Sequence, residues 1–171
     1  MRAPGDMLVV GSVALDSVRT PYGAADDVLG GSASYFALSA AHFGRVRIVA
    51  VVGEDFPVAH RGEFEARGID LSGLETVPGR TFRWRGEYAA ELGHAHTLET
   101  QLNVFSTFHP RLDAHHRDSP YVFLANIDPD LQLEVLGQMR RPQLVLSDTM
   151  NYWIARKPER VLEVLRRVDM A

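Results

Sequence analysis

Gly30-Gly31-Ser32-Ala33-Ser34-Tyr35-Phe36-Ala37-Leu38-Ser39-Ala40-Ala41-His42-Phe43-Gly44 is a glycine pair followed by a helix of small residues, and the apolar run Ile48-Val49-Ala50-Val51-Val52 comes next. Glycine permits positive φ and lets another molecule approach the backbone closely. The amides at the helix start have no partner inside the helix, so they can bind ligand oxygens. A purely structural glycine turn accounts for the stretch equally well.

Composition limits the function classes before any motif is considered. The 171 residues suffice for one domain with a core, and 46% hydrophobic and 23% charged residues are typical of globular proteins. The net charge of −4, without a basic stripe or polybasic helix, predicts neither a nucleic-acid nor a membrane partner. The lack of cysteine excludes disulfides and thiolate catalysis. The run Met7–Val10 is too short for a membrane span, so we expect a cytoplasmic enzyme or binding protein.

Short apolar runs alternate with amphipathic segments, which is the pattern of a parallel α/β sheet. We expect an open Rossmann-like sheet with helices on both faces. An amphipathic helix near Ala171 should lead the chain to another strand, so we also expect the C-terminal half of the fold to be absent. The predicted strands are 7–10, 47–52, 121–125 and 144–146, and the predicted helices after the first one are 59–67, 131–139 and 158–168.

A different pattern separates the two groups of parallel strands. Phe82, Trp84 and Tyr88 alternate with charged residues, and Leu98, Thr100, Leu102 and Val104 alternate after a loop over 89–96. Period-two alternation on neighbouring runs predicts an antiparallel hairpin with one covered face. The segment 21–27 is predicted to be a turn-rich excursion before the glycine pair.

Ligands of open α/β sheets collect beyond the carboxyl ends of the strands. In this chain those ends carry polar residues in four segments, which are 11–16, 53–55, 126–128 and 148–151. Asp16 stands among apolar neighbours after the first strand, where a ligand contact and a simple structural role are both open.

Several standard motifs are missing from the sequence. It has neither G-x-G-x-x-G after the first strand nor a Walker G-K-[ST] loop, and it has no G-x-S-x-G elbow. His94-x-His96 and His115-His116 each lack a third ligand at a recognisable spacing. We therefore predict solvated loop histidines and no metal site.

The ordered motifs resemble the N-terminal half of the ribokinase-like (PfkB) family of carbohydrate and nucleoside kinases. The resemblance covers essentially the whole chain. Five features carry it, namely Val9-Val10-Gly11-Ser12-Val13-Ala14-Leu15-Asp16, Gly30-Gly31-Ser32-Ala33 with its helix, Val51-Val52-Gly53-Glu54-Asp55, Gly68-Ile69-Asp70-Leu71-Ser72-Gly73-Leu74 and the aromatic hairpin.

The resemblance implies a small β-lid that closes over the substrate, formed by 81–104 with part of 16–29. It implies that Asp16 binds sugar hydroxyls and that Gly30 and Gly31 form the hinge and contact the substrate. The further candidates for substrate binding are Ser32, Asn126 and Asp128. ATP and Mg²⁺ are the cofactors expected for the full-length enzyme, and some family members form homodimers through the lid.

The chain departs from the family pattern in two ways. Ala14, Ser32 and Tyr35 stand where ribose-binding members often have asparagine, lysine and asparagine, respectively. The magnesium-associated Asn-x-x-Glu motif and the Gly-Ala-Gly-Asp motif, which supplies the catalytic base, do not occur. We therefore expect the base and most of the ATP site beyond Ala171, no cofactor bound by this chain alone, and no turnover without the rest. A non-catalytic sugar-binding or partner module and an unrelated Rossmann-like binding protein are the alternatives.

Overall fold

The computed structural model describes residues 6–91, 93 and 95–171, which form two β-sheets and several helices. The strands are β1 (Met7–Val10), β2 (Ala14–Thr20), β3 (Gly23–Gly30), β4 (Val46–Gly53), β5 (Asp70–Val77), β6 (Arg83–Tyr88), β7 (Ala95–Gln101), β8 (Tyr121–Leu124) and β9 (Leu144–Ser147). The helices are α1 (Ser32–Ala40), α2 (Val58–Glu65), α3 (Ala114–Arg117), α4 (Pro129–Gln138), α5 (Asn151–Arg156) and α6 (Pro158–Leu165), with a 3-10 helix over Asn103–Thr107.

The first sheet, here called the body sheet, is parallel throughout and has the order β5-β4-β1-β8-β9. All eight residues of β4 are buried, as expected for a strand covered on both faces. Its one charged residue, Arg47, is buried with its guanidinium bound to Asp6 (2.5 Å) and Ser119 (3.3 Å). The predicted α/β architecture is therefore confirmed for the body.

Helices cover both faces of the body sheet. On one face, α1 and α2 pack against β1 and β4 through Ala33, Ala37 and Phe64. On the other face, α4 and the 3-10 helix pack through Val135 and Val104. Pro158 occupies the first turn of α6, as predicted, and the helix ends at Leu165. After α6, Met170 forms a parallel bridge with Leu146, so the chain returns to the sheet beside β9.

The remaining strands form a second sheet with the order β3-β2-β6-β7. β6 and β7 are the predicted antiparallel hairpin, and β6 also runs parallel to β2. The prediction of a turn-rich excursion over 21–27 is wrong in part, because a short turn at Thr20–Gly23 leads directly into β3. The prediction of a strand reaching Val104 is also wrong, since β7 ends at Gln101 and Val104 packs into the body. The hairpin loop includes residues 92 and 94, which lie outside the described residues.

The histidine prediction needs one correction. His96 and His115 are exposed, but His116 is buried at 3% exposure. The Asp113 side chain caps α3 by accepting a hydrogen bond from the His116 amide (2.8 Å), and the short helix turns the His116 ring inward. Burial lowers the pKa of His116 and outweighs the opposing effect of Asp113. His94 lies outside the described residues.

Candidate functional site

The two sheets meet at the glycine pair, and each glycine is required there for its own reason. Gly31 has φ of 90° and lies against the Ser12 carbonyl, so a β-carbon would be strained and would overlap that oxygen. A β-carbon on Gly30 would overlap the carboxyl group of Asp16. The pair therefore lets β2 and the start of α1 approach each other closely.

The first turn of α1 is bonded to the neighbouring strand ends. The Ala33 amide donates to the Ser12 carbonyl (3.2 Å), and the Ser34 hydroxyl donates to the Gly30 carbonyl (2.7 Å). The Ser32 hydroxyl accepts a hydrogen bond from the Asn126 amide (2.9 Å), which ties α1 to the end of β8. The structure thus brings the candidates Gly30, Gly31, Ser32 and Asn126 to one place.

Asp16 is a half-buried carboxyl group that lies directly over Gly30. Within residues 6–91, 93 and 95–171, no group donates a hydrogen bond to its side chain. Burial raises the pKa of Asp16 to about 6. A carboxylate that is desolvated and unpaired is a strong acceptor for hydroxyl groups of an incoming molecule.

Two aromatic residues of other elements are linked to this carboxyl group, Tyr35 through its electrostatic effect and Trp84 through the strand register. The Tyr35 hydroxyl on α1 donates to the Leu29 carbonyl (2.9 Å), which fixes its ring at the mouth between the sheets. Burial, followed by the charges of Asp16 and Tyr88, raises the pKa of Tyr35. Trp84 is in register with Asp16, and its indole covers Gly86 and donates to the Thr97 hydroxyl (3.2 Å).

In the sequence, Tyr35 stands out only as a departure from the family pattern, and nothing there links it to Asp16. The sequence pattern groups Phe82 with the hairpin aromatics, but Phe82 precedes β6, and its ring stacks on Phe105 of the 3-10 helix (5.4 Å between centroids). Alternation within β6 does place Trp84 and Tyr88 on one face. The electrostatic effect of Asp16 and Tyr88 on Tyr35 links distant segments, so no local pattern could have indicated it.

Polar groups at the ends of β8 and β9 form the other side of the site. The Asn126 side-chain oxygen is buried and, among the described residues, has no hydrogen-bond partner. Asp148 is partly buried after β9, and burial raises its pKa. The Gln132 side-chain amide donates to the carbonyls of Ala125 and Asp148 (2.9 Å each), which holds the two strand ends together.

Asp128 is already engaged with protein groups. It caps α4 by accepting a hydrogen bond from the Asp130 amide (2.9 Å), and Lys157 donates to both of its oxygens (2.8 and 2.7 Å). Lys157 also binds Asp130. These contacts give Asp128 a structural role, and a role in substrate binding stays a prediction.

The chain was compared with known proteins. No family model matches the sequence. It is similar to a cytidine kinase of Thermococcus kodakarensis, with 25% identity over 169 residues that cover 96% of this chain and 60% of the relative. The chain thus spans less than two thirds of that relative's length.

Solved structures give the same picture of the fold. A nucleoside kinase of Methanocaldococcus jannaschii, an archaeal member of the ribokinase family, matches with a TM-score of 0.74 and 18% identity over 97% of this chain and 60% of its own. Ribokinase from Cryptococcus neoformans in complex with ADP matches with a TM-score of 0.72 and 18% identity over 91% of this chain and 54% of its own. The predicted ribokinase-like fold, and with it the resemblance to ribokinase-family kinases, is confirmed.

A search for membrane spans gave a negative result. In the part of the chain that the structure describes, none of the helices combines the length and the apolar character needed to cross a bilayer.

Proposed function

We propose that this chain is the N-terminal, substrate-binding and lid portion of an ATP-dependent kinase that phosphorylates a hydroxyl group of a nucleoside or sugar. The observation that carries the proposal is the Asp16 carboxyl group, which is desolvated over Gly30 without a donor among the described residues. The second sheet is the proposed lid, because it brings Asp16 and its aromatic neighbours against the body.

Each candidate residue has a proposed task in binding. Asp16 accepts hydrogen bonds from substrate hydroxyls, and the Asn126 side-chain oxygen accepts a further one. Gly30 and Gly31 leave the space for this approach, and Ser32 holds Asn126 in place through its hydroxyl. These residues orient the substrate and exclude water from it, which is the main work of a protein in phosphoryl transfer.

A nucleoside suits this site better than a free sugar. Tyr35, Trp84 and Tyr88 present aromatic surface beside the carboxyl group that would bind the hydroxyls. Aromatic side chains stack readily on nucleobases, whereas a free sugar offers no such ring. The likeness to a cytidine kinase supports the same preference.

The described residues are proposed to supply only part of the ATP and Mg²⁺ site. Lys157 forms ion pairs with Asp128 and Asp130, which follow β8, so its charge is already neutralised by protein groups. No group of three or more metal-ligating side chains is found in the described ranges. We propose that the catalytic base and most of the ATP site are supplied by the remaining part of a longer protein, comparable in length to the relatives.

Binding tests the proposal directly. Cytidine, adenosine and ribose are titrated into the ¹⁵N-labelled chain at pH 7.5, and we expect shifts of the Gly30, Gly31, Ser32 and Asn126 amides with a nucleoside. Asp16→Asn should weaken binding about ten- to a hundredfold, because a charge-assisted hydrogen bond is lost. Asp118→Asn, an exposed acid paired with Arg140, is the control. Equal affinity of the two variants would contradict the role of Asp16.

Turnover separates the kinase from the non-catalytic alternative. We expect no nucleoside phosphorylation by this chain with ATP and Mg²⁺, and activity once the segment that completes the fold is present. A completed protein that binds nucleosides without phosphorylating any of them would favour a sensor or partner module. Phosphorylation by the purified chain alone would refute the assignment of the base to another segment.

A further inference from the structure

One cluster of charged groups lies outside the site, where the second sheet joins the body. Asp55 follows β4 in the body, and its Oδ1 accepts hydrogen bonds from the Thr81 amide (2.6 Å) and hydroxyl (2.7 Å). The Thr81 hydroxyl also accepts from the Gly53 amide (3.0 Å), and Thr81 is fully buried. The segment that enters β6 is thus fixed to the end of β4.

Arg83 extends this attachment across the second sheet. Its guanidinium donates to Oδ2 of Asp55 (2.9 Å) in the body and also to the Asp27 carboxylate on β3. The Asp27 carbonyl is within hydrogen-bond distance of His60 Nε2 on α2 (3.2 Å), which adds a second tie to the body. Asp27, Asp55 and Arg83 are called the Arg83 cluster below.

The side chains of Arg83 and Asp55 are largely buried, and their interaction stabilises the charged form of Asp55. The Arg83 side chain is only 19% exposed, and that of Asp55 is 28% exposed. Burial alone would raise the pKa of Asp55, but the hydrogen bonds from Arg83 and Thr81 outweigh it and hold that pKa below its ordinary value. A planar guanidinium that binds two carboxylates restrains the angle between their supports, which a single point charge would not do.

β2, the strand that carries Asp16, lies between β3 and β6 in the second sheet. In the order β3-β2-β6, Arg83 on β6 reaches across β2 to Asp27 on β3. Arg83 is in register with Leu15, the residue before Asp16, and the Leu15 amide donates to the Phe82 carbonyl (2.8 Å). Because β2 pairs with both β3 and β6, a rotation of the second sheet would carry Asp16 away from the start of α1, the body helix that follows Gly31.

We propose that Arg83 is a positioning residue that, through Asp27 and Asp55, holds the second sheet at one angle on the body and keeps Asp16 against the start of α1. Its consequence for substrate affinity rests on the proposed function, whereas its effect on the placement of Asp16 does not. Among the described residues, the Arg83 guanidinium binds Asp27 and Asp55 and not Asp16, so its proposed effect on Asp16 passes through the sheet.

The experiment compares Arg83→Met with Arg85→Met in this chain. Arg85 lies on the same strand and the same face, is exposed, and has no ion pair among the described residues, so it controls for the loss of one positive charge. The pKa of Asp16 is measured by carboxyl ¹³C NMR titration. Loss of a positive charge by itself raises a carboxyl pKa, whereas release of Asp16 into water lowers it, so the two explanations predict opposite signs.

We expect the pKa of Asp16 to fall from about 6 towards its ordinary value of 3.8 in Arg83→Met and to stay near 6 in Arg85→Met. Equal values in the two variants would overturn the proposal. Asp55→Asn is the second variant, since its side-chain oxygen can still accept from Thr81 while its amide no longer accepts from Arg83. We expect Asp55→Asn to lower the pKa of Asp16 as well. An unchanged Asp16 pKa in a folded Asp55→Asn variant would also overturn the proposal.

Nucleoside binding supplies the functional readout. If the unmodified chain binds a nucleoside, Arg83→Met should weaken the affinity about tenfold, and Arg85→Met should not change it. Equal affinities of Arg83→Met and the unmodified chain would refute the positioning role. If no nucleoside binds the unmodified chain, the proposed function fails, and the titration of Asp16 still decides whether the Arg83 cluster positions it.

Discussion

β4 in the body and β7 in the second sheet have nearly opposite environments. Every residue of β4 is buried, whereas every residue of β7 except Gln101 is exposed. Apolar burial on both faces makes the body the source of stability. The second sheet has little core of its own and depends on attachment to the body. Such weakly buried elements open locally at low cost, which suits a part that must admit a ligand.

The largest expected effect comes from truncating an apolar side chain in each of the two regions. Phe64→Ala removes a fully buried ring that packs between α2 and the body sheet, and we expect a loss of about 3–5 kcal/mol in the free energy of unfolding. Leu98→Ala on β7, where the side chain is 45% exposed, should change it by less than about 0.5 kcal/mol. Urea unfolding of both variants measures the difference. Similar losses would mean that the second sheet contributes as much core as the body.

The joint between the two sheets gives the next effect. Gly31→Ala places a β-carbon at positive φ against the Ser12 carbonyl, so we expect a loss of about 1–3 kcal/mol. Gly62→Ala in α2 is the matched control, because open space surrounds that position, and it should stabilise the chain by about 0.5–1 kcal/mol. Thermal unfolding compares the two. A tolerated Gly31→Ala would show that the joint can relax around a side chain.

A smaller effect on stability is expected at Asp16, with the opposite sign. Its pKa is raised to about 6, so the folded chain holds the proton more tightly than the unfolded chain, and ionisation of Asp16 costs stability. Below pH 4, Asp16→Asn should have the same free energy of unfolding as the unmodified chain. Between about pH 4 and 6 the variant should become progressively more stable than the unmodified chain, and at pH 7 the difference should be about 1–2 kcal/mol. Melting curves across this range measure it. A variant that is less stable at pH 7 would indicate that Asp16 is structural.

The smallest effect on stability concerns the face of the second sheet. The sequence predicts a homodimer through the lid, and Trp84→Ser should then lower the sedimenting mass while changing the free energy of unfolding only slightly. The control is Arg85→Met on the opposite face of β6. A chain that sediments as a monomer at high concentration before any substitution would exclude lid pairing. Because open sheet edges also associate, the comparison is repeated in the protein that contains the completed fold.

The parts of the structure that local patterns describe were predicted well. The apolar runs of β1, β4, β8 and β9, the proline start of α6 and the glycine pair before α1 are all present as expected. The strand β5 was missed because a register shift against β4 breaks its alternation. α5 was missed as well, since its six residues are too few to show a helical period.

The candidate site also has parts that local sequence patterns predict and parts that depend on tertiary packing. The sequence by itself determined that Asp16 follows the first strand, that the glycine pair begins a helix, and that polar residues end the parallel strands, because burial, turns and helix starts depend on neighbouring residues. Only the tertiary structure decided that Asp16 and Tyr88 act electrostatically on Tyr35, and that Arg83 joins Asp27 to Asp55. These contacts join residues up to 56 positions apart, and they form only when the packing of two sheets brings those segments together.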